Sequence, residues 1–183
     1  MKKIASIFFI ILLGSTANLF SDDNQSIKRI FEGEENAKIT IIAYESLTCG
    51  HCADFHKNVY PELKKDFIEK GLVKIEFRHF PLDIAAFNAS KIGQCNNDGD
   101  PNVLNILFLG QKKWARGKTP EEATKYLKKF LEDEGVNLDF EKCLNNKSIE
   151  DYVLNDRIEG VKKFEVNATP TIIINDKKFD KAL

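Results

Sequence analysis

The stretch Leu47-Thr48-Cys49-Gly50-His51-Cys52-Ala53-Asp54-Phe55-His56, LTCGHCADFH, sets two cysteines three positions apart. A pair so spaced is a metal clamp, a structural staple or a working redox couple, and its surroundings decide. Immediately upstream, KITIIAY (38–44) is a β-branched apolar run and reads as a buried strand. Downstream, Phe55, Val59, Leu63 and Phe67 recur every four residues. That spacing predicts a helix from Cys52 to about Gly71, with those four side chains on its buried face. Pro61 lies inside it and is expected to kink it. LVKIEFRHF (72–80) alternates as a second strand. Strand, helix and strand make a βαβ unit with parallel strands and a right-handed crossover.

Farther along the period changes. Residues 83–164 read as a helical block of four or five helices. Thr119-Pro120-Glu121-Glu122 carries a cap, a first-turn proline and a capping-box acid. Ser148-Ile149-Glu150-Asp151 is a weaker start signal, and Gly135 and Asn145-Asn146 are stops. Trp114 is expected to pack within this block. Strand character returns in NATPTIIIN (167–175), where a proline precedes a β-branched run. Asn175 to Lys178 reads as a turn, with a short return strand beginning at Phe179.

The N-terminus has its own pattern. Lys2 and Lys3 precede an apolar run from Ile4 to Leu13, too short to span a bilayer, and Ser15-Thr16-Ala17 offers a cleavage site. This predicts a signal peptide over residues 1–17 and a lead-in over 18–37. No cysteine lies near the cleavage site, which argues against a lipid anchor. Export to an oxidising compartment lets disulfides persist. A net charge of −1, without a basic stripe interleaved with aromatics, sets nucleic acid aside.

Taken together, GEENAKITIIAYESLTCGHCADFH, EFRHFPLD and ATPTIIIN make the chain resemble the DsbA-like branch of the thioredoxin superfamily. The likeness runs from about residue 30 to the end. It implies an α/β thioredoxin fold, βαβ (38–82) then ββ (165–183), interrupted by an inserted helical domain (83–164). Thioredoxin units close with a helix, and the expectation here is that this C-terminal helix is missing. The resemblance also implies a cis Thr169–Pro170 bond facing the cysteines, with the Thr169 backbone free to pair with substrate.

The chemistry of such a site is that of a thiolate. At a helix start, unpaired N–H groups and the positive end of the dipole favour an anion on Cys49. His51 can add a donor or a positive charge, so the Gly50-His51 dipeptide is expected to set the redox poise, with Cys52 as the buried partner. In the expected cycle a substrate thiolate attacks Cys49, Cys52 leaves, and a second substrate thiol completes the exchange. No cofactor beyond this redox disulfide is expected. No clear dimerisation segment is present, so a monomer is expected, and the N-terminal signal points to the periplasm, where it would act on reduced, unfolded exported proteins; family likeness implies a quinone-linked membrane reoxidase.

Many relatives place a buried acid six residues before the first cysteine. Here that position is Ala43, and Glu45 lies two residues on, sharing a strand face with it. Glu45 is thus either a proton-transfer group or a solvated strand-end carboxylate. Cys95 and Cys143 fall on different helices of the block, and some relatives carry a non-catalytic disulfide there; two free buried cysteines are the alternative. His56 reads as a solvated helix position and His79 as structural. A zinc site using Cys49, Cys52 and His51 or His56 is the rival class. It lacks the second close pair that structural zinc usually has, so no metal is expected. Within the enzyme class, CGHC and Thr169 also suit an isomerase or reductase.

Overall fold

A computed structural model describes residues 26–180; the signal-peptide expectation and the extreme C-terminus lie outside them. Five strands form one mixed sheet: β1 (Ile30–Glu32), β2 (Ile39–Glu45), β3 (Val73–His79), β4 (Thr171–Ile174) and β5 (Lys177–Lys178), in the order β1-β3-β2-β4-β5. Only β2 and β3 run parallel, as a βαβ crossover requires; the other pairs are antiparallel.

Strand β1 lies within what reads from sequence as a lead-in. It is three residues long, too short to show a period, yet it pairs Ile30 with Phe77 along the β3 edge. Gly33 makes this possible. Its φ is +105°, and any Cβ there would stand 2.5 Å from the Val73 carbonyl oxygen. At the other edge, Asn175 and Asp176 have φ of 45° and 64° and form the two-residue turn itself. The return strand is therefore Lys177–Lys178, two residues earlier than Phe179.

Helix geometry corrects a second expectation. The chain coils continuously from α1 (Gly50–Asp54) through a π-helical turn at Phe55–Val59, α2 (Tyr60–Leu63) and a second π turn at Lys64–Ile68. The Tyr60 N–H donates to the Phe55 carbonyl, five residues back. Pro61 has no N–H to continue the ordinary ladder, and its ring would crowd the carbonyl four residues earlier. A wider turn just before it removes that conflict. Each wide turn rotates the face by about one residue. Phe55, His56, Tyr60 and Ile68 are consequently buried, while Val59 and Phe67 are exposed.

Between β3 and β4 lie six helices: α3 (Ile84–Gln94), α4 (Asn102–Leu109), α5 (Gln111–Trp114), α6 (Pro120–Asp133), α7 (Phe140–Leu144) and α8 (Lys147–Phe164). The sequence reading undercounts because α5 and α7 are only one turn long. Thr119 caps α6, accepting from the Glu122 N–H. Asn146, read as a stop, is instead the cap of α8, accepting from the Ile149 N–H. Trp114 is fully buried and donates its indole N–H to the Leu107 carbonyl. One apolar cluster joins the sheet face of Ala43 and Phe77 to the first helix and the helical block; a smaller one, with Tyr44, Phe164 and Ile173, lies on the other sheet face.

Cys95, ending α3, and Cys143 on α7 form a disulfide with Cα atoms 5.5 Å apart and 48 residues of separation. Loop closure of that size stabilises by about 4 kcal/mol on the entropic model. A Cys95→Ala/Cys143→Ala variant should therefore melt roughly 8–16 °C lower. Calorimetry on both proteins checks this, and an unchanged melting temperature would remove the bridge as a stabiliser.

Candidate active site

Cys49 occupies the cap position of α1, with extended backbone and half-buried side chain. Cys52 follows one turn in and is fully buried. Both sulfurs are free thiols in this structure. The loop ahead of them is tied down at several points. The Cys49 N–H donates to the Ser46 carbonyl. Thr48 donates its hydroxyl to Asp83, the residue that caps α3. Gln111, from the helical block, donates its amide to the carbonyls of both Leu47 and Cys49, each at 2.9 Å. No motif in the sequence marks Gln111; its role follows from the fold alone.

Opposite the helix start, the Thr169–Pro170 peptide is cis. The Cys49 thiol donates to the Thr169 carbonyl at 3.2 Å. When Cys49 ionises, it no longer has a proton for that carbonyl. The buried Thr169 hydroxyl, unpaired among the described residues, is then available as a donor.

These contacts separate the two sulfurs. The Cys49 thiol is lowered to about 5, chiefly by the Cys52 S–H donated to it; burial opposes this, and Thr169 and the main-chain N–H groups of Cys52 and His51 add to it. Burial pushes the Cys52 thiol far up, reinforced by its hydrogen bond to Cys49 and by the negative charge of Glu45. His51 thus reaches Cys49 through its backbone, and its side chain is exposed. At Gly50 a side chain would meet open space, so packing does not demand glycine there; its absence leaves the approach to Cys49 uncovered. Gly50 lines one open groove of about 360 Å³ with Ala53, Lys57, Leu109 and Lys112, and Thr48 lines another of about 470 Å³ with Ile84, Ala115 and Pro120.

Glu45 is not a solvated carboxylate. It is 4% exposed, at the end of β2 on the face of Ala43, and its Oε2 lies 2.9 Å from His56 Nε2. His56 is not a solvated helix position either. The π turn carries it inward to 2% exposure, where it stacks on Phe108 with ring centroids 4.0 Å apart. His79 is buried against Gln94, across the β2–β3 ladder from Glu45. Among the described residues no group of three or more His, Cys, Asp or Glu side chains is placed to hold a metal ion.

Residues 25–183 match the family model described as Thioredoxin. A protein of Rickettsia conorii named a protein-disulfide oxidoreductase is 27% identical over 157 residues, covering 84% of this chain and 54% of its own length. This chain therefore spans about half the length of that curated relative. Disulfide bond formation protein D of Bacillus subtilis is 27% identical over 79% of this chain and 67% of its own. The crystal structure of Wolbachia pipientis alpha-DsbA1 superposes with a TM-score of 0.72 at 31% identity, covering 84% of this chain and 79% of that one. With its sheet order, its cysteine pair at a helix start and its helical insertion, the chain belongs to the thioredoxin family, in the DsbA-like branch.

Proposed function

We propose that this protein is an exported thiol:disulfide oxidoreductase that introduces disulfides into other proteins through Cys49 and Cys52. The observation that carries the reading is the split between the sulfurs. One is half-buried and held as a thiolate, the other sealed and held as a thiol, three residues apart. Stabilising the reduced thiolate makes the corresponding disulfide a stronger oxidant.

The cycle follows from access. A substrate thiolate attacks the reachable sulfur of the Cys49–Cys52 disulfide; that S–S bond breaks and Cys52 leaves, taking up a proton. A second substrate thiolate attacks the substrate sulfur of the mixed disulfide and expels Cys49 as its stable thiolate. Two substrate thiols have then lost two electrons to the enzyme pair. The Thr169 backbone and the two grooves beside Cys49 suit an extended substrate segment. Glu45, buried behind Cys52, is the proton acceptor and donor for that sulfur. Reoxidation falls to a membrane-bound, quinone-linked partner, and the working unit is a monomer in the periplasm. The name of the Bacillus subtilis relative supports oxidation.

Isomerisation remains the second reading because of the Gly-His dipeptide between the cysteines. A dithiol-peptide oxidation assay beside refolding of a scrambled substrate separates the two. Fast oxidation with weak unscrambling is expected; the reverse pattern would assign the protein to isomerisation.

A further inference from the structure

Buried behind Cys52 is a histidine that the thiol chemistry above does not use. His56 is enclosed by Phe55, Tyr60, Phe77 and Phe108, with polar contacts at both ring nitrogens. Nδ1 lies 2.8 Å from Oδ1 of Asn105 on α4, and Nε2 lies 2.9 Å from Glu45 Oε2. The Tyr60 hydroxyl, packed against His56, donates to Glu32, which Lys64 also holds. The amide oxygen of Asn105 is the end that faces His56, and a carbonyl-type oxygen only accepts. His56 must carry a proton on Nδ1.

That leaves Nε2 and Glu45 Oε2 with one proton between them. Without it, two lone pairs would face each other in a dry site, at the cost of an unmade buried hydrogen bond. The second oxygen, Glu45 Oε1, is buried and has no hydrogen-bond partner among the described residues. It is the open position of an otherwise filled network, and the charge of Glu45 is felt at Cys52, the sulfur whose burial holds it protonated. The titratable groups around His56 are Glu45 on β2, Cys52 and Tyr60 on its own helix, and Glu32 behind Tyr60.

We infer that His56 is a positioning residue for the Cys52 proton transfer: fixed by Asn105, it shares one proton between its Nε2 and Glu45 Oε2 and leaves Oε1 free to exchange a proton with Cys52. This rests on the reading of Glu45 as the acceptor. When Cys52 resolves a mixed disulfide, its S–H bond breaks, the Cys49–Cys52 bond forms, the substrate thiolate leaves, the proton passes to Oε1, and the shared proton moves from Oε2 onto His56 Nε2, so the carboxyl holds only one. When a substrate thiolate opens the enzyme disulfide, the same proton returns to the departing Cys52 sulfur. The helical insertion thereby takes part in the redox step through one amide.

Resolution of a Cys49 mixed disulfide, followed against pH in single turnovers, tests this. His56→Gln keeps a hydrogen bond to Glu45 but cannot hold an exchangeable proton there. It should move the midpoint of the Cys52 step upward by about one pH unit or more, the scale on which a buried partner shifts a titration, while the Cys49 titration stays in place. Asn105→Leu should move it the same way by less. Glu45→Gln separates the two ideas. If Glu45→Gln moves the midpoint and His56→Gln does not, the acceptor stands and the role of His56 falls. If neither moves it, both fall. Nitrogen NMR of the His56 ring in the unaltered protein needs no variant: Nε2 should shift between oxidised and reduced forms while Nδ1 remains protonated, and identical Nε2 signals in both forms would overturn the inference.

Discussion

The Cys52→Ala variant will hold its reaction partners covalently. Mixed with an oxidised peptide or glutathione disulfide, it should accumulate a Cys49 adduct that the unaltered protein clears at once. The reason is geometric. Cys52 lies one helical turn from Cys49, already hydrogen-bonded to it, so resolution is intramolecular. Well-oriented intramolecular steps have effective molarities on the order of 10⁵ M or more, so adduct lifetime should rise by several orders of magnitude. Mass spectrometry of quenched samples measures it. An adduct that disappears at the original rate would show that some other group resolves it. The same substitution removes the thiol that donates to Cys49, so the Cys49 titration should move upward. Cys52→Ser retains a donor and should trap as well while shifting that titration less.

Titration of the reduced protein by thiolate absorbance should give a midpoint near 5 for Cys49. Free cysteine titrates near about 8.5, and the signs for stability follow. Between those values the unfolded chain binds a proton at this position that the folded chain does not, so reduced-state stability rises with pH across the window. As pH falls through about 5, that contribution is lost. Cys52 has the opposite sign. Its native thiol keeps its proton where the unfolded thiol loses it, so the contribution reverses above about 8.5. The margin of reduced over oxidised protein should thus climb from mildly acid pH, peak near about 8.5 and then fall. Paired melting curves of the two redox forms measure it. Each pH unit of Cys49 shift corresponds to about 30 mV of added oxidising power. A Cys49 midpoint at the ordinary thiol value would remove the physical basis for an oxidase.

Much of this was legible in the letters. KITIIAY, the CxxC and the β-branched run after Pro170 each carry a local signal, and those signals suffice for the sheet centre and the two sulfurs. Glu45 was legible by strand alternation, which places it on the face of Ala43, although only tertiary packing could seal it from water. His56 was not legible. A regular helical period assigns the inward face to Val59 and Phe67, and of the two π turns that rotate this face the first arises from a conflict around Pro61 rather than from any apolar pattern. Gln111 and Asn105 were invisible for another reason. An amide side chain in a helical stretch looks the same whether it meets water or a carbonyl brought from sixty residues away.

Gln111 also bears on how such proteins are built and rebuilt. The block between β3 and β4 looks like a detachable module, a guest lodged in a host. Yet the peptide carbonyl of Cys49, the residue that meets substrate, is gripped by a side chain belonging to the guest. An engineer who excises that module and closes the gap retains both sulfurs and discards the fixture that aims one of them. Transplanting the tetrapeptide CGHC onto a bare scaffold carries over the letters without the aim, so redox behaviour in this lineage is not portable as a motif.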